Sequence, residues 1–536
     1  MTLTHPRTDV PPATATATAG ALAVRSLEAH GVELVFGIPG THNLAIYRAL
    51  GESGIRHVTP RHEQGAGYAA DGYARASGRP GVAIVTTGPA VMNAATSAAQ
   101  AWSDSVPLLL LAPGMPLAHP AASTGYLHEM LDQRLAMSGV VQHAVRTETH
   151  AELARELADA FAAFRSGRPR ARFVEVPLDL LPTEAECAIA TAPATEPIRP
   201  AAAELERAAE LLAGARRPLV VAGGGAHGAR DELAAVLERG IPVITTINGK
   251  GSVDERHPLA FGARLHVAAG RAIVEEADVL VVIGSDLGQG DHWATLEPRG
   301  RVVRIDIDPA QAHGNVASEV ALIGDAGTTL GALLDALGDG APQPAGDWAA
   351  RRGDADREAA ELGGPWAGVA AALESALEPG DVLAADNAKV AYNGVLGSVR
   401  LAAGSRFLFP TGFGTLGYAL PAAIGAKLAR PDRRVVAVLG DGGVMFTIQE
   451  LATAAQLGLP LPIVVSVNGG YGEIRDEMED LGFAPLGVDL GTPDLPAVAR
   501  AMGGHGLALD GAGGLPDALE AAFETPGPTL ITVPER

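Results

Sequence analysis

Residues 435–474 read VVAVLGDGGVMFTIQELATAAQLGLPLPIVVSVNGGYGEI and contain two apolar runs, each of which ends in a glycine-rich turn. The first turn carries Asp441 within the motif GDGG, and the second carries Asn468 within the motif NGG. Continuous apolar runs bounded by glycine are typical of strands in a parallel sheet that helices cover on both faces. Because such sheets bind ligands at the carboxyl ends of their strands, Asp441 and Asn468 are predicted to share one site.

Similar apolar runs recur along the chain and alternate with helical patterns such as AAELERAAELLAGA and ARDELAAVLERG. They read GVAIVTTGP, VPLLLLAPG, RPLVVAGGG, IPVITTING, ADVLVVIGSD, RVVRIDIDP, DVLAADN and GPTLITVPE. Two segments rich in Pro, Ala and Gly, 191–204 and 337–354, are predicted to be linkers. The sequence therefore predicts an α/β protein with three domains, each a parallel sheet flanked by helices. The predicted parts are a disordered lead-in at 1–18 and domains at 19–190, 191–340 and 341–536, of which the outer two are similar in strand content.

Charge and cysteine usage exclude several classes of partner. The net charge of −22 disfavours nucleic acids and anionic membranes, because both would repel the chain. Cys187 is the only cysteine, so no intramolecular disulfide forms and a reducing, cytoplasmic compartment is expected. The sequence lacks a run of about 18 uncharged apolar residues, and its first residues lack an apolar core after a basic start, so we expect neither a membrane span nor a secretory signal.

The two turns of the opening stretch have the chemistry of a metal and phosphate site. A carboxylate, a carboxamide and a nearby backbone carbonyl make an all-oxygen set, which suits Mg²⁺ shared with phosphate oxygens. Gly442 and Gly443 would let the backbone approach a diphosphate at the start of a predicted helix, VMFTIQELATAAQ. Each turn alone is also compatible with an ordinary strand-to-helix connection, but their joint spacing favours the ligand site.

GDG followed by Asn 27 residues after the Asp resembles the signature of thiamine-diphosphate-dependent enzymes, and the surrounding residues resemble the acetolactate synthase and pyruvate oxidase group. The resemblance implies a pyrimidine-binding domain at 19–190, a central domain at 191–340 and a diphosphate-binding domain at 341–536. Other segments that resemble the family are VFGIPGTHNLAIYRAL (35–50), RHEQGAGYAADGYARASGRPGVAIVTTGPAVMN (61–93), DSVPLLLLAPG (104–114) and FPTGFGTLGYALPAAIGAKLA (409–429).

By this resemblance Asp441, the Asn468 side chain and the Gly470 carbonyl would hold Mg²⁺ against the cofactor diphosphate. The family often carries Asn-Asn at the second turn, whereas this chain has Val467 before Asn468; the Asn that remains is the one that usually ligates. Further cofactor contacts implied by the resemblance are Gly440, Gly442, Gly443, Tyr471 and Gly472.

Glu63, in RHEQGAGYAADGYAR, matches the family glutamate that hydrogen-bonds N1′ of the cofactor's aminopyrimidine ring. We expect it to be buried, with a raised pKa, although a lone Glu after an apolar strand is more often a solvated turn residue. The Gly414 carbonyl would accept the 4′-amino group, and Leu416 would either keep the cofactor bent or simply pack in the core. His62 is a weaker candidate for the pocket. Because the family builds each site from two subunits, the resemblance implies a homodimer or a homotetramer.

The central third contains a literal G-x-G-x-x-G at Gly223, Gly225 and Gly228. No acidic residue ends the following strand, so the motif alone does not predict dinucleotide binding. RVVRIDIDP resembles the adenine side of the family's FAD site. However, Ser285 and Asp286 stand where FAD-binding relatives carry an Arg, so we expect no FAD.

Substrate preference depends on the helix after the Asn turn and on His128. Glu473, Ile474 and Glu477 stand where acetolactate synthases carry apolar residues, and the two glutamates share a helix face. That pair either forms a solvated acidic face or binds a cationic tail, best a guanidinium. His128 replaces a Gln of acetolactate synthases and is either a packing residue or, with nearby Glu129, a proton relay.

These residues together resemble 5-guanidino-2-oxopentanoate decarboxylases. The resemblance implies a thiamine-diphosphate- and Mg²⁺-dependent, non-oxidative decarboxylation of a 2-oxo acid, with 4-guanidinobutanal and CO₂ as products. One alternative is an acetolactate synthase-like carboligase that joins pyruvate to a second 2-oxo acid or aldehyde. Another is a non-catalytic cofactor-binding paralogue, which the presence of Glu63, Asp441 and Asn468 disfavours.

Overall fold

A computed structural model describes residues 14–120, 123–193, 196–338 and 346–535. Within these residues the chain forms three six-stranded sheets, in which all strands run parallel, and one antiparallel strand pair. The strands are β1 (Thr14–Thr18), β2 (Leu34–Gly37), β3 (Arg56–Val58), β4 (Gly81–Ile84), β5 (Leu108–Gly114), β6 (His143–Arg146), β7 (Arg172–Pro177), β8 (Glu184–Ala188), β9 (Pro218–Ala222), β10 (Val243–Thr245), β11 (Ala260–Gly262), β12 (Val279–Ile283), β13 (Arg301–Asp306), β14 (Val320–Ile323), β15 (Val382–Ala385), β16 (Arg406–Leu408), β17 (Val435–Gly440), β18 (Leu461–Val467), β19 (His505–Ala508) and β20 (Pro528–Pro534).

Helices cover both faces of each sheet. Among the described residues none of them is long and apolar enough to cross a bilayer. They are α1 (Ala19–Ala29), α2 (Leu44–Gly51), α3 (Glu63–Ser77), α4 (Pro89–Ser103), α5 (Gln133–Ser138), α6 (His150–Ser166), α7 (Ala202–Ala213), α8 (Arg230–Glu238), α9 (Ala268–Glu276), α10 (Gln289–His292), α11 (Ala326–Leu337), α12 (Trp348–Leu362), α13 (Ala367–Ala376), α14 (Leu396–Ser398), α15 (Ala419–Ala429), α16 (Asp441–Val444), α17 (Glu450–Gln456), α18 (Gly472–Asp480), α19 (Leu495–Ala501) and α20 (Leu515–Glu524).

The first and third sheets share one topology. The first is ordered β3-β2-β4-β5-β7-β6 and the third β16-β15-β17-β18-β20-β19, so each places its own strands in the order 2-1-3-4-6-5. The central sheet, β11-β10-β9-β12-β13-β14, instead has the doubly wound order 3-2-1-4-5-6. The predicted fold class and the predicted likeness of the outer thirds are confirmed.

The apolar runs form parallel strands because both of their faces are buried. In β17, Val435, Ala437 and Leu439 pack into one hydrophobic cluster, while Val436 and Val438 pack into another on the opposite face. Successive side chains of a strand point to opposite faces, so a run without polar residues requires cover on both sides.

Helices α3 and α15 join the first sheet to the third. Each follows the second strand of its own sheet, and Gly72 and Gly425 lie where the two helices approach most closely. A Cβ on Gly72 would lie 2.1 Å from the carbonyl oxygen of Ala422, and a Cβ on Gly425 would lie 1.8 Å from that of Ala69. The two glycines therefore fix how the outer sheets are placed relative to each other.

Three predicted irregular segments contain regular structure. The lead-in prediction is wrong for Thr14–Thr18, because this strand pairs with β8; residues 1–13 lie outside the described residues. The 191–204 linker is wrong from Ala202 onward, where α7 begins; 194–195 are not described. The 337–354 linker is wrong from Trp348 onward, since the Asp347 carboxylate caps the first turn of α12; 339–345 are not described. The domain boundaries themselves stay a prediction.

Candidate active site

The predicted metal ligands lie together at the carboxyl ends of β17 and β18. Asp441 is buried, and its Oδ2 accepts a 2.9 Å hydrogen bond from the Gly469 N–H. Asn468 follows β18 directly, and its Oδ1 accepts a 3.2 Å bond from the Gly470 N–H. The Gly470 carbonyl oxygen would lie 3.3 Å from a Cβ placed on Gly442. A carboxylate, an amide and a carbonyl oxygen therefore occupy one small region.

Two side chains that sequence reasoning missed hold these ligands in place. The Thr492 hydroxyl donates to Asp441 Oδ2 at 2.6 Å. Glu535 Oε2 accepts a 3.2 Å bond from Asn468 Nδ2, so the amide oxygen of Asn468 faces the Gly470 turn. Both partners lie more than 50 residues away in the sequence, and no local pattern points to them.

The glycines of the two turns are required by close packing. A Cβ on Gly442 would lie 2.9 Å from the Tyr471 ring, and a Cβ on Gly472 would lie 2.5 Å from Asn468 Nδ2. Gly440 ends β17 directly before the turn. A larger residue at Gly442 or Gly472 would push the two turns apart.

The continuous helix predicted over 444–456 is wrong. The helix that starts at Asp441 ends at Val444, and a new helix begins only at Glu450. The Thr447 hydroxyl donates a 2.7 Å bond to the Gly417 carbonyl, which ties the intervening turns to the loop before α15.

That loop contains Gly414, with φ of +69°, and the half-buried Leu416. Asp386, directly after β15, accepts a 2.7 Å bond from the Gly417 N–H and a 3.3 Å bond from the next N–H. Asn387 Nδ2 donates to two carbonyls of the same loop. Burial raises the pKa of Asp386 to about 6, against the lowering effect of three backbone N–H groups. This Asp-Asn pair was not among the predicted site residues, although its place directly after an apolar run is a signal for it.

Glu63 is the first residue of α3 and contacts its own domain. Its Oε2 accepts a 2.8 Å bond from Asn93 Nδ2. Burial and the charge of Glu63 both raise the pKa of Tyr47, which places the phenol near the carboxylate. The expectation that Glu63 is buried is wrong for the single chain, in which this residue is only half-buried.

A buried carboxylate of the third domain anchors the segment before Glu63. Glu450 accepts bonds from the backbone N–H groups of Arg61, at 3.0 Å, and His62, at 3.1 Å. A Cβ on Gly65 would lie 2.4 Å from Glu450 Oε1. His62 itself caps α3 through its Nδ1, which is a structural role for that weaker pocket candidate.

His128 lies at the carboxyl end of the first sheet, with a left-handed φ of +63°. Its Nδ1 is 3.1 Å from the Thr87 hydroxyl. The predicted pairing with Glu129 is wrong, because that carboxylate contacts His119 Nε2 at 2.7 Å and two backbone N–H groups. Burial alone would raise the pKa of Glu129, but these bonds lower it to about 2.

The acidic helix α18 follows the Asn turn. Glu473 is half-buried and lies beside Tyr392, whose pKa is raised by burial and by this carboxylate. Ile474 and Glu477 are exposed. The Tyr392 ring contacts Trp293 edge-on, with 5.5 Å between centroids. The predicted substrate face therefore combines carboxylates with aromatic rings.

The cations beside α18 are already paired. Lys389 forms an ion pair with Asp476, and Arg475 forms one with Asp489 at 2.6 Å. In the described part of the chain, the glutamates at 473 and 477 form no ion pair. No cation among the described residues therefore pairs with either carboxylate.

The predicted site residues form separate groups within one chain. The first group is built on the third sheet and comprises Asp441, Asn468, Gly470 and the loop with Gly414 and Leu416. The second is built on the first sheet and includes Glu63 and His128, each of which is bonded to residues of the same sheet region.

The glycine motif of the central domain has a packing role. A Cβ on Gly223 would lie 2.3 Å from the Gly284 carbonyl oxygen, and a Cβ on Gly225 would lie 2.9 Å from Gly284 Cα. Asp286 pairs with Arg168 of the first domain at 3.0 Å. The turns after β9 and β12 therefore need glycine in order to pack against each other, and this requirement does not depend on a ligand.

Three family models match successive parts of the chain. They describe the N-terminal TPP binding domain of thiamine pyrophosphate enzymes at 17–136, their central domain at 205–333 and their C-terminal TPP binding domain at 393–533. The chain belongs to the thiamine pyrophosphate enzyme family. The predicted resemblance is confirmed, and each matched region contains most of the strands of one parallel sheet.

Named relatives of this thiamine pyrophosphate enzyme cover nearly its full length. A probable 2-ketoarginine decarboxylase, AruI, of Pseudomonas aeruginosa is 42% identical over 96% of this chain and 94% of its own. The acetolactate synthase large subunit of Parasynechococcus marenigrum is 33% identical over 95% of this chain and 86% of its own. The acetolactate synthase isozyme 2 large subunit of Escherichia coli is 32% identical over 95% of this chain and 94% of its own.

The residues of the third sheet fit thiamine diphosphate with a hard cation. The described residues contain no group of three or more His, Cys, Asp or Glu side chains suited to a metal ion. Asp441, Asn468 and Gly470 instead offer three oxygens of different kinds, and oxygen is the donor atom that Mg²⁺ prefers. Gly442, which has no side chain, leaves room beside these three oxygens.

Proposed function

We propose that this enzyme decarboxylates a 2-oxo acid with a cationic tail to an aldehyde and CO₂, with 5-guanidino-2-oxopentanoate (2-ketoarginine) as its substrate. The observation that carries the proposal is the pair Glu473 and Glu477, whose charge no described cation neutralises, on the helix that follows the cofactor turn. The name of the relative from Pseudomonas aeruginosa supports the same substrate.

One group of side chains binds the cofactor at the reacting end of the substrate, and another binds the cationic tail. Thiamine diphosphate supplies the electron sink that makes loss of CO₂ from a 2-oxo acid feasible. Asp441, Asn468 and Gly470 hold Mg²⁺ and the diphosphate, and Glu63 bonds the aminopyrimidine ring. Glu473 and Glu477 bind the guanidinium, because paired carboxylate oxygens match its planar fork of N–H donors.

The remaining predicted contacts take positions around the same cofactor. The Gly414 carbonyl would accept a hydrogen bond from the amino group of the pyrimidine, and Leu416 would support the cofactor. His128 faces the reacting carbon, and Ile474 lines the path of the tail. The cofactor contacts of the glycine turns are made by Gly440, Gly442, Gly443, Tyr471 and Gly472.

The functional assembly is a homodimer or a larger homo-oligomer. Within one chain Glu63 accepts a hydrogen bond from Asn93 of its own domain and is only half-buried. The turns that carry Asp441 and Asn468 lie instead at the third sheet. A second copy supplies the missing half of each site. The enzyme uses no FAD and acts in the cytoplasm, a location that the single free Cys187 supports.

Turnover with two substrates tests the proposed reaction. The full-length enzyme with thiamine diphosphate and Mg²⁺ is supplied with 5-guanidino-2-oxopentanoate or with pyruvate, and CO₂ and the organic product are both quantified. We expect a higher kcat/KM for the guanidino acid and release of 4-guanidinobutanal. Acetolactate from pyruvate as the dominant product would overturn the proposal.

Carboligation is the second candidate function. The acetolactate synthases match over almost the whole length of this chain, which supports a shared capacity to join two carbonyl compounds. This candidate predicts an external aldehyde or 2-oxo acid as a fast second substrate.

A further inference from the structure

Two histidines share one hydroxyl group at the carboxyl end of the first sheet. His42 lies in the turn after β2, and its Nδ1 is 2.6 Å from Thr87 Oγ1. His128 Nδ1 approaches the same oxygen at 3.1 Å, and the two imidazole centroids are 5.2 Å apart. Strands β2 and β4 are neighbours from which the chain continues in opposite directions across the sheet, and such switch points are where open α/β sheets bind ligands.

The loop that carries His128 is pressed against the Thr87 turn. Gly88 has a φ of +60°, and a Cβ there would lie 2.5 Å from the His128 carbonyl oxygen. Gln133 accepts a 2.7 Å bond from the Gly88 N–H and donates to the Pro113 carbonyl, which fixes the far end of the loop to β5. The His128 ring is therefore placed by the backbone as well as by its hydrogen bond.

The two contacts restrict where the hydrogens lie. Thr87 is fully buried, and its hydroxyl has one hydrogen to donate and lone pairs to accept. When both rings are neutral after proton delivery, the shorter contact suits donation from the hydroxyl to His42, and the longer one suits donation from His128 Nδ1–H. A neutral His42 agrees with its pKa, which burial and the neighbouring His128 both lower.

We propose that His42, Thr87 and His128 form a proton relay, in which His42 is a positioning residue and His128 delivers a proton to the substrate carbon. The inference deepens the proposed function and rests on it. Conversion of a 2-oxo acid anion to an aldehyde and CO₂ consumes one proton, which ends on the carbon that carried the carboxylate. His128 donates this proton from Nε2, and solvent replaces it through the pair.

The relay conserves protons at each step. When His42 carries the excess proton, the Thr87 hydroxyl donates to His128, whose neutral ring then holds its single hydrogen on Nε2. The Nδ1–H of His42 passes to Thr87 Oγ1 while the hydroxyl hydrogen passes to His128 Nδ1, so that His128 becomes the imidazolium. Loss of the Nε2 proton to the substrate leaves His128 neutral with its hydrogen on Nδ1, and exchange with solvent returns that hydrogen to Nε2 before the next cycle. Only N–H and O–H bonds are made and broken, and the charge moves from one ring to the other. Two imidazolium ions at this distance repel each other, so the relay carries one excess proton at a time.

Other titratable groups nearby do not take the place of Thr87 between His42 and His128. The Tyr126 ring lies 6.2 Å from that of His42. Glu129 is held by His119 and by backbone N–H groups, so its charge is already satisfied. Within the described residues, neither His42 nor His128 forms an ion pair with a carboxylate.

A pair of variants at Thr87 tests the relay directly. Thr87→Val keeps the shape of the side chain and removes the hydroxyl, whereas Thr87→Ser keeps the hydroxyl. Full-length protein labelled with ¹⁵N in its histidine rings is titrated by NMR, and His42→Asn and His128→Asn assign the signals. We expect coupled titration of the two rings in the wild type and in Thr87→Ser, and independent titration in Thr87→Val.

Kinetics provide the second readout. Thr87→Val and His42→Asn should lower kcat by about 100-fold, the usual contribution of acid–base catalysis, with KM changed less than about twofold. The solvent proton inventory should change from curved to linear, while Thr87→Ser restores the wild-type form. Independent titration of the two rings in the wild type, or an unchanged kcat in Thr87→Val, would overturn the relay. Failure of the wild type to release CO₂ from any 2-oxo acid would instead overturn the proposed function.

Discussion

At the residue scale, Glu63 combines an open carboxylate with one internal hydrogen bond, from Asn93. Glu63→Gln keeps the size of the side chain but removes the acidic group that bonds the aminopyrimidine nitrogen. We expect kcat to fall by about 100-fold or more, while the Kd of thiamine diphosphate changes little. Exchange of the cofactor's C2 proton with deuterium, followed by NMR after acid quench, measures the step itself. Exchange at the wild-type rate would show that Glu63 has another role.

The charges of Glu473 and Glu477 should affect the KM only of substrates that have a cationic tail. A hydrogen bond to a charged group contributes about 1.5–3 kcal/mol, so Glu473→Gln should raise KM for the guanidino acid roughly tenfold or more. Glu477→Gln should have a smaller effect because this side chain is exposed. With a 2-oxo acid of equal length whose tail is uncharged, neither variant should lose activity. Glu479→Gln, at an exposed position of the same helix, is the matched control.

At the scale of elements, Asp386 clamps the loop between β16 and α15, and its pKa is raised to about 6 by burial. A carboxyl group with a pKa raised in the folded state binds more protons there than in the unfolded chain. Its contribution to stability therefore falls as pH rises from about 4 to about 6, by roughly 3 kcal/mol for a shift of this size.

The test compares the wild type with Asp386→Asn. The difference between their free energies of unfolding, from urea titrations at several pH values, should decrease over this window and then stay constant. Lost hydrogen bonds to the loop add an offset that does not depend on pH. A difference that is flat between pH 4 and pH 6 would contradict the raised pKa.

The elements that could be predicted from the sequence are those whose signal is local. The apolar runs of β17 and β18 and the turns that carry Asp441 and Asn468 are each defined within a few residues. The clamp by Asp386, the anchoring of the α3 start by Glu450, and the sharing of Thr87 by two histidines depend on contacts between distant segments. The break between α16 and α17 has the same origin, since a bond from Thr447 to Gly417 competes with the helix that the local pattern favours.

At the scale of the whole molecule, two sheets with one topology perform different tasks. The packing of α3 on α15 fixes them relative to each other in one chain, with Gly72 and Gly425 at the contact. The first sheet carries Glu63 and His128, and the third carries Asp441 and Asn468. A division of this kind lets two copies of the chain complete each other's sites.

Complementation between two inactive variants tests this arrangement. Glu63→Gln lacks the glutamate, Asp441→Ala lacks the metal ligand, and each alone should be inactive. If every site combines Glu63 of one subunit with Asp441 of another, a mixed dimer contains one intact site and one that carries both substitutions. Random exchange of subunits should then restore about a quarter of the wild-type activity, because half of the dimers are mixed and half of their sites are intact. Sites contained within one chain would give no recovery, and a double variant mixed with wild type is the control for exchange.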